Sequence, residues 1–128
     1  MQAPVDRKYS ETHEWFLIDD DVVTVGITQF AADELTDITF VELPSIGAEV
    51  TVGDALGEIE SVKATSEIFT AVSGKIIEVN PALVDHPELI NDDAFEEGWL
   101  LRIKSDSIEP LTALMDAKEY KSFVRASA

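Results

Sequence analysis

The sequence predicts a mainly β fold, a small barrel or sandwich with short helices around it. Three observations lead to this prediction. Short runs rich in Val, Ile, Thr and Phe recur along the chain, turn-forming residues separate them, and helical periodicity is confined to short segments and the C-terminal tail. With 128 residues, of which 45% are hydrophobic, the chain is long enough to bury a core, so we expect one domain over residues 1–128.

The first elements are predicted to be two strands, a helix and a third strand. The run "EWFLIDDDVVTVGIT" predicts two short strands joined by an acidic turn at 19–21. Thr28 has the residue type of a helix N-cap, and the helix "TQFAADELTD" follows it. Its apolar face would carry Phe30, Ala31, Leu35 and Ile38. The run "TFVELPSIG" then predicts a strand that ends at Pro44 and turns at Gly47.

The last third of the chain is predicted to hold short helices, one strand and a C-terminal helix. Asn80 and Pro81 have the pattern of a cap followed by a first-turn proline, which predicts one or two helical turns. The run "GWLLRIKS" predicts the last strand, and the tail becomes helical at "SIEPLTALM" and again at "DAKEYKSFVRA". Asp116 and Glu119 have the spacing of a capping box. An apolar stripe then follows at Tyr120, Phe123 and Val124.

The segment from Val50 to Asn80 predicts a β-hairpin with a lysine at its tip. The runs "TVGDAL" and "VSGKII" share a pattern of apolar, small, glycine, charged and apolar residues. Gly53 lies ten residues before Lys63, and Gly74 lies eleven residues after it. Two antiparallel strands joined midway between these glycines would place Lys63 as far from both turns as the chain allows.

The net charge of the chain indicates which classes of macromolecule it can bind. Nine Lys and Arg against 26 Asp and Glu give a formal net charge of −17. Nucleic acid and anionic membranes repel such a surface, so we expect neither as a partner. Docking onto basic clefts of other proteins is favoured instead, and it would depend on salt concentration.

The absence of cysteines, of metal-ligand spacing and of long apolar runs argues against several kinds of site and against a membrane location. With no cysteine, the chain has no disulfide, thiolate metal site or cysteine nucleophile. His13 and His86 do not have the spacing of metal ligands, so we expect no metal site. No apolar run approaches the roughly 20 residues of a membrane span, and no signal segment begins the chain. We therefore expect a cytoplasmic protein, with a processed mitochondrial matrix form left open.

Lys63 stands alone in an acidic neighbourhood. It is the only Lys or Arg between Tyr9 and Gly74, a span in which fourteen Asp and Glu occur. Glu60 and Glu67 would favour its charged form if they lie close to it. Because surface ion pairs contribute little stability, this arrangement is poorly explained by stability alone. A flexible amine at an exposed tip suits enzymatic acylation, and the alternative is an ordinary solvated lysine.

The residues around Lys63 resemble a known class of carrier domain. The stretch "VGDALGEIESVKATSEIFTAVSGKIIEVN" is similar to the lysine-bearing hairpin of biotinyl and lipoyl carriers, and "ESVKA" resembles the glycine cleavage system H proteins. Val62 and Ala64 stand where biotinyl carriers usually have Met, which favours lipoyl. The similarity continues in order along the chain, through "THEW", "VGIT", "NPALV", "PELIN", "GWL" and "LMDAKEY".

The resemblance implies a fold and a function. The fold would be a flattened barrel-sandwich hybrid with the lysine-bearing hairpin at one end. The chain would be a non-catalytic carrier with lipoate joined by an amide to Lys63, passing an aminomethyl group between enzymes. The implied partners are glycine decarboxylase (P protein), aminomethyltransferase (T protein), dihydrolipoyl dehydrogenase (L protein), and a lipoate ligase or lipoyltransferase. We expect a monomer. The implied site comprises Lys63 with Glu60, Ser61, Val62, Ala64, Glu67 and Glu14.

Some alternatives stay open at the level of sequence. Glu14 would line a polar cleft that shelters the loaded arm, or it is a solvent-facing strand residue. His13 and Trp15 would belong to a strand packed on the core. The protein as a whole would be the glycine cleavage carrier, a related carrier that relays lipoate to other enzymes, or a binding module whose lysine is not modified.

Overall fold

The computed structural model describes residues 3–127, which form a mainly β arrangement. The strands are β1 (Lys8–Tyr9), β2 (Glu14–Asp19), β3 (Val22–Ile27), β4 (Ile38–Glu42), β5 (Glu49–Val50), β6 (Ala55–Ser61), β7 (Thr65–Phe69), β8 (Gly74–Val79) and β9 (Leu101–Ser105). The helices are α1 (Gln29–Leu35), α2 (Ala82–Asp85), α3 (Leu89–Asp92) and α4 (Ala117–Ser127), with a 3-10 helix at Glu109–Ala113 before α4.

The strands of the described residues form two antiparallel sheets, neither of which closes into a barrel. The six-stranded sheet has the order β1-β2-β3-β9-β8-β5, and the three-stranded sheet has the order β4-β6-β7. Strand β9 pairs with both β3 and β8, so it joins the N-terminal hairpin to the middle of the chain. The predicted mainly β fold with short peripheral helices is confirmed.

The core joins the two sheets, because buried and exposed side chains alternate along the strands. On β6, Leu56 and Ile59 are buried whereas Glu58 and Glu60 are exposed. Ile68 of β7 is buried with them, in one apolar cluster that includes buried residues of β3, β8 and β9. The hairpin that carries Lys63 is thus anchored by its apolar face and exposes an acidic one.

Helix α4 packs on a second, aromatic cluster. Tyr120 and Val124 are buried with Tyr9 and Trp15, and the rings of Tyr9 and Tyr120 stack with centroids 4.8 Å apart. The predicted capping box is confirmed: the Glu119 N–H donates to Asp116 Oδ1 at 2.8 Å, and the Asp116 N–H donates to Glu119 Oε1 at 3.1 Å. These bonds satisfy donors at the helix start and fix where α4 begins.

Helix α1 begins as predicted and ends earlier than predicted. Thr28 Oγ1 accepts a hydrogen bond from the Ala31 N–H at 3.2 Å, which confirms the N-cap. The helix ends at Leu35, because Thr36 adopts a φ of 62° and turns the chain. Placing Ile38 on the apolar face of this helix was wrong, since Ile38 begins β4 and is buried there. The strand itself ends at Glu42, before Pro44 is reached.

Glycine is required at the two positions that bracket the hairpin for different structural reasons. Gly53 turns the chain into β6 with a φ of 92°, a conformation that glycine adopts without strain. Gly74 begins β8, and a Cβ at this position would lie 2.1 Å from the backbone oxygen of Lys104 on β9. The second glycine is therefore needed for close approach of two strands, and the similarity of the two motifs does not reflect two equal turns.

The remaining predicted elements lie close to their expected places. Helix α2 follows Asn80 and Pro81 as predicted, but Pro81 itself occupies the N-cap position, so the expected cap at Asn80 with proline in the first turn is shifted by one residue. Asn80 Oδ1 nevertheless accepts from the Ala82 N–H at 3.1 Å. The acidic turn lies between β2 and β3, where Asp20 has a φ of 56°. No helix within residues 3–127 has the length and apolar character that crossing a membrane requires.

Candidate functional site

Lys63 lies in the tight turn between β6 and β7. The two strands pair from Ala55 opposite Phe69 to Glu60 opposite Thr65, and the turn follows at once. Ser61 holds this turn: its Oγ accepts from the N–H groups of Lys63 at 3.1 Å and Ala64 at 3.0 Å. The predicted tip position of Lys63 is confirmed, and Ser61 supplies the turn chemistry that an Asn-Gly pair would otherwise provide.

The tip is also fixed to the end of helix α1. The Val62 N–H donates to the carbonyl oxygen of Asp37 at 3.0 Å, although the Val62 side chain is 69% exposed. Lys63 Nζ lies 3.3 Å from the carbonyl oxygen of Glu34 and donates to it. Since a helix leaves its last carbonyl groups without intrahelical partners, an amine at this position satisfies one of them.

A cavity of about 260 Å³ is linked to the Lys63 amine through Glu34. Glu34 lines the cavity and its carbonyl oxygen accepts from Lys63 Nζ, although Lys63 itself is not among the lining residues. Most of the wall is apolar and comes from β3, α1 and β7, and four polar residues complete it. The full lining is Thr12, His13, Ile27, Phe30, Ala31, Glu34, Leu35, Ser66 and Ile68. We name this space the arm groove.

Glu14 is a buried acid directly behind the wall of the arm groove. Its residue surface is 1% exposed, and it is not among the groove-lining residues. Glu14 Oε1 accepts from the hydroxyls of Ser10, at 2.6 Å, and Thr12, which lines the groove. Oε2 accepts from the Phe69 N–H on β7 at 3.4 Å. The alternative of a solvent-facing residue is wrong, because the hairpin strand and the Ser10–Thr12 loop cover this carboxylate.

Burial raises the pKa of Glu14 above its ordinary value, and hydrogen bonds from Ser10, Thr12 and Phe69 oppose the rise. None of the ion pairs within residues 3–127 involves Glu14. Buried carboxylates are usually paired with a cation, because desolvation disfavours the charged form. Glu14 is therefore a buried acid without a counter-ion, separated from the groove by Thr12. A cation bound in the groove would stabilise its charged form.

The raised pKa of Glu14 predicts how stability depends on pH. Between the unfolded and folded pKa values the native state binds more protons, so stability falls as pH rises through this window, from about 4.5 upward. Glu14→Gln removes this titration. We expect the stability of the wild type relative to Glu14→Gln to decrease as pH is raised from 4 to 7. Urea unfolding of both proteins measures it, and a constant or rising difference would contradict the prediction.

The other predicted site residues lie on the hairpin but do not contact the Lys63 amine. Glu60 and Glu67 are exposed on the outer face of the three-stranded sheet. Among the ion pairs of the described residues, none joins Lys63 to either of them. Glu67 lies opposite Glu58, which in turn lies opposite Glu42, although like charges facing across strands destabilise a sheet. This acidic row is therefore better explained by contact with partners than by stability.

His13 and Trp15 have separate roles. Trp15 is buried in β2 and donates its indole N–H to the Ala94 carbonyl oxygen at 3.1 Å, as expected of a core residue. Placing His13 in the same strand was wrong, because β2 begins at Glu14 and His13 turns the chain before it with a φ of 71°. His13 lines the arm groove instead. Burial lowers its pKa, and the charge of Glu34 opposes this. Within residues 3–127, no group of three or more His, Asp and Glu side chains is placed to hold a metal ion.

Sequence reasoning missed most of the arm groove. Thr12, Glu34 and Ser66 are far apart in sequence, and only the packing of α1 beside β7 brings them together. One signal was available: the predicted apolar face of α1 includes Phe30, Ala31 and Leu35, which line the groove. Glu34 lies beside that face at helical spacing, so a groove wall could have been assigned to it.

Comparison with known proteins gives consistent results over nearly the whole chain. The family model described as "Glycine cleavage H-protein" matches residues 7–127. A glycine cleavage system H protein from Coprothermobacter proteolyticus is 50% identical over 125 residues, covering 97% of this chain and 98% of that relative. One from Thermus thermophilus is 45% identical over 128 residues, covering 100% of both. The crystal structure of a glycine cleavage system H protein from Mycobacterium marinum has a TM-score of 0.88 at 37% identity, covering 98% of this chain and 100% of that one.

Proposed function

Because the chain belongs to the glycine cleavage H-protein family, we propose that it is a non-catalytic lipoyl carrier, with lipoate joined by an amide to Lys63 Nζ. The observation that carries the proposal is the position of Lys63, at the tip of the β6–β7 hairpin and bonded to Glu34, which lines the arm groove. The residues fit this group, since the amine is exposed for acylation and the adjoining groove is largely apolar. We also propose that residues 1–128 are one carrier domain, which the family match to 7–127 supports.

The chain's own residues would tether, hold and release the arm. When attached, lipoate supplies a dithiolane that accepts and releases an aminomethyl group and undergoes thiol–disulfide exchange. Lys63 provides the attachment point, and the Ser61 turn keeps it projecting from the hairpin. The apolar wall of the arm groove excludes water, and Glu14 would hold the ammonium form of the loaded arm through its negative charge. Tethering raises the arm's effective concentration at a docked enzyme.

The proposed partners are the enzymes that load and unload this arm. A lipoate ligase or lipoyltransferase would acylate Lys63. Glycine decarboxylase would load the aminomethyl group, aminomethyltransferase would remove it, and dihydrolipoyl dehydrogenase would reoxidise the dithiol. The exposed acidic row on the hairpin supports successive docking of such partners through charge. The bacterial sources of the relatives support a cytoplasmic location.

Reconstitution of the reaction tests the proposal. The lipoylated protein would be mixed with the three enzymes, glycine, tetrahydrofolate and NAD, and NADH formation would be followed. We expect glycine-dependent NADH formation that saturates as the carrier is added. A lipoylated protein that gives none, yet passes its lipoyl group to a second lipoyl domain in the presence of a lipoyltransferase, would replace the carrier proposal with the relay function.

Docking through the acidic surface should depend on salt. The chain carries a net charge of −17, and the acids facing each other on the hairpin have no cation among the described ion pairs. Since the Debye length shortens to about 8 Å at 0.15 M salt, we expect the rate of exchange with aminomethyltransferase to fall as salt is raised. Glu58→Gln removes one of the facing acids and should make this dependence less steep. A rate that does not change with salt would favour apolar docking.

A further inference from the structure

The C-terminal helix reaches the wall of the arm groove through one hydroxyl. Tyr120 of α4 is fully buried, at 0% exposure. Its phenolic oxygen lies 2.8 Å from His13 Nδ1 and 2.7 Å from Thr28 Oγ1. His13 lines the arm groove, and Thr28 caps helix α1, which supplies four of the groove-lining residues. The hydroxyl therefore bonds both to the groove and to the helix that forms one side of it.

One direction of these hydrogen bonds gives each hydroxyl proton an acceptor, and it implies one tautomer of His13. Thr28 Oγ1 already accepts from the Ala31 N–H, so its own proton is free to be donated to Tyr120. Tyr120 then donates to His13 Nδ1, which leaves the ring proton on Nε2. With this polarity both hydroxyl protons have an acceptor, whereas a proton on Nδ1 would leave one of the two hydroxyl protons without one among these bonds. Burial raises the pKa of Tyr120 to about 12, so its donor proton stays in place.

The backbone and ring of His13 are held in an otherwise unfavourable position. Its φ of 71° is uncommon for a residue other than glycine and persists only where surrounding contacts enforce it. Two backbone bonds do so: the His13 N–H donates to the Ser10 carbonyl oxygen at 3.1 Å, and the Thr28 N–H donates to that of His13 at 2.9 Å. The ring packs 5.1 Å from Phe30, between centroids.

We propose that Tyr120 is a positioning residue of the arm groove, which holds His13 in one tautomer and orientation so that the groove wall presents an Nε2–H donor. The group that this donor would meet is an acceptor atom of the arm, such as the oxygen of the acyl-lysine amide. The inference rests on the proposed carrier function. It adds a role for the C-terminal helix, which lies outside the hairpin and contributes no residue to the groove lining.

Tyr9 offers a matched control. It is also fully buried, stacks on Tyr120, and donates its hydroxyl proton to the Pro4 carbonyl oxygen at 2.5 Å, away from the groove. Tyr120→Phe and Tyr9→Phe each keep the ring and lose one hydroxyl from the same aromatic cluster. We expect a loss of thermal stability in both, larger in Tyr120→Phe because Thr28 and His13 both lose a partner, and unchanged acylation of Lys63 in both.

Only Tyr120→Phe should alter the groove. In the wild type and in Tyr9→Phe, we expect the ¹⁵N chemical shifts of the His13 ring to be those of the Nε2–H tautomer alone. In Tyr120→Phe, we expect them to shift to the values of a mixture of the two tautomers. Ammonia release from the loaded carrier should be several-fold faster in Tyr120→Phe alone. In a His13→Asn background, where Asn tolerates the positive φ, Tyr120→Phe should have no further effect on release.

Equal His13 spectra and equal release rates in the two Phe variants would overturn the inference, as would a full Tyr120→Phe effect in the His13→Asn background. Absence of Lys63 acylation in the wild type would instead refute the carrier proposal. The two failures are therefore distinguishable, because the His13 spectra are recorded on the protein without its arm.

Discussion

A Lys63→Arg variant is expected to be folded and to support no acylation and no glycine-dependent NADH formation. The guanidinium keeps the positive charge and the length of the side chain, but it is a poor acylation target. The turn around position 63 depends on Ser61 and on backbone groups, so the hairpin should survive the change. The loss should therefore be complete in activity and negligible in thermal stability.

Lys75→Arg is the matched control for this loss. Lys75 is exposed on β8, in the larger sheet, and it faces Lys104 and not the arm groove. We expect Lys75→Arg to accept lipoate and to support turnover at the wild-type rate. Turnover in Lys63→Arg above the background without carrier would contradict the assignment of Lys63, whatever the behaviour of the control.

Glu14→Ala is expected to shorten the lifetime of the loaded carrier while leaving acylation of Lys63 unchanged. The carboxylate lies behind Thr12 and has no cation partner among the described ion pairs, so the ammonium of the loaded arm would be its natural counter-charge. Because Thr12 separates the carboxylate from the groove, the two charges would attract each other through the wall at more than contact distance, and we expect the release rate to rise several-fold when the charge is removed. Ammonia release after removal of the decarboxylase measures it.

Glu14→Gln separates the effect of the charge from that of the hydrogen bonds, and Glu11→Ala serves as a control. Removing the carboxylate leaves the hydroxyls of Ser10 and Thr12 without their acceptor, so Glu14→Ala should also lose about 1–3 kcal/mol of stability. Glu14→Gln keeps an acceptor for these hydroxyls but removes the charge, and we expect release as fast as in Glu14→Ala. Glu11→Ala, at an exposed position, should behave as the wild type. Slow, wild-type release from Glu14→Gln would remove charge from the explanation.

The local parts of this fold could be predicted from the sequence because neighbouring residues determine them. The Thr28 cap, the Asp116–Glu119 capping box and the turn at Lys63 each depend on a few consecutive residues and were found. The end of α1 was missed, because nothing in "ELTDI" shows that Thr36 takes a positive φ, and the apolar Ile38 fits a helix face and a strand equally well.

The sequence predicted only those parts of the candidate site that depend on residues close together in the chain. The position of Lys63 at the hairpin tip follows from its own segment, whereas the burial of Glu14 requires that the Phe69 backbone and the Ser10–Thr12 loop meet at its carboxylate. The arm groove likewise depends on three distant segments meeting. Tyr120 was predicted as one member of an apolar stripe, and it is buried as such. That its hydroxyl would reach His13 could not be inferred, because hydrophobic periodicity carries no information about where a polar tip points.

Peptide mapping of the lipoylated protein shows directly whether lipoate is attached to Lys63. The wild-type protein would be incubated with lipoate ligase, lipoate and ATP, and the product would be digested and sequenced by mass spectrometry. We expect one lipoyl group per chain, located at Lys63 in the peptide that contains "ESVKA". An adduct at Lys75 or at another lysine, or a chain that accepts no lipoyl group under conditions that modify a known lipoyl domain, would contradict it.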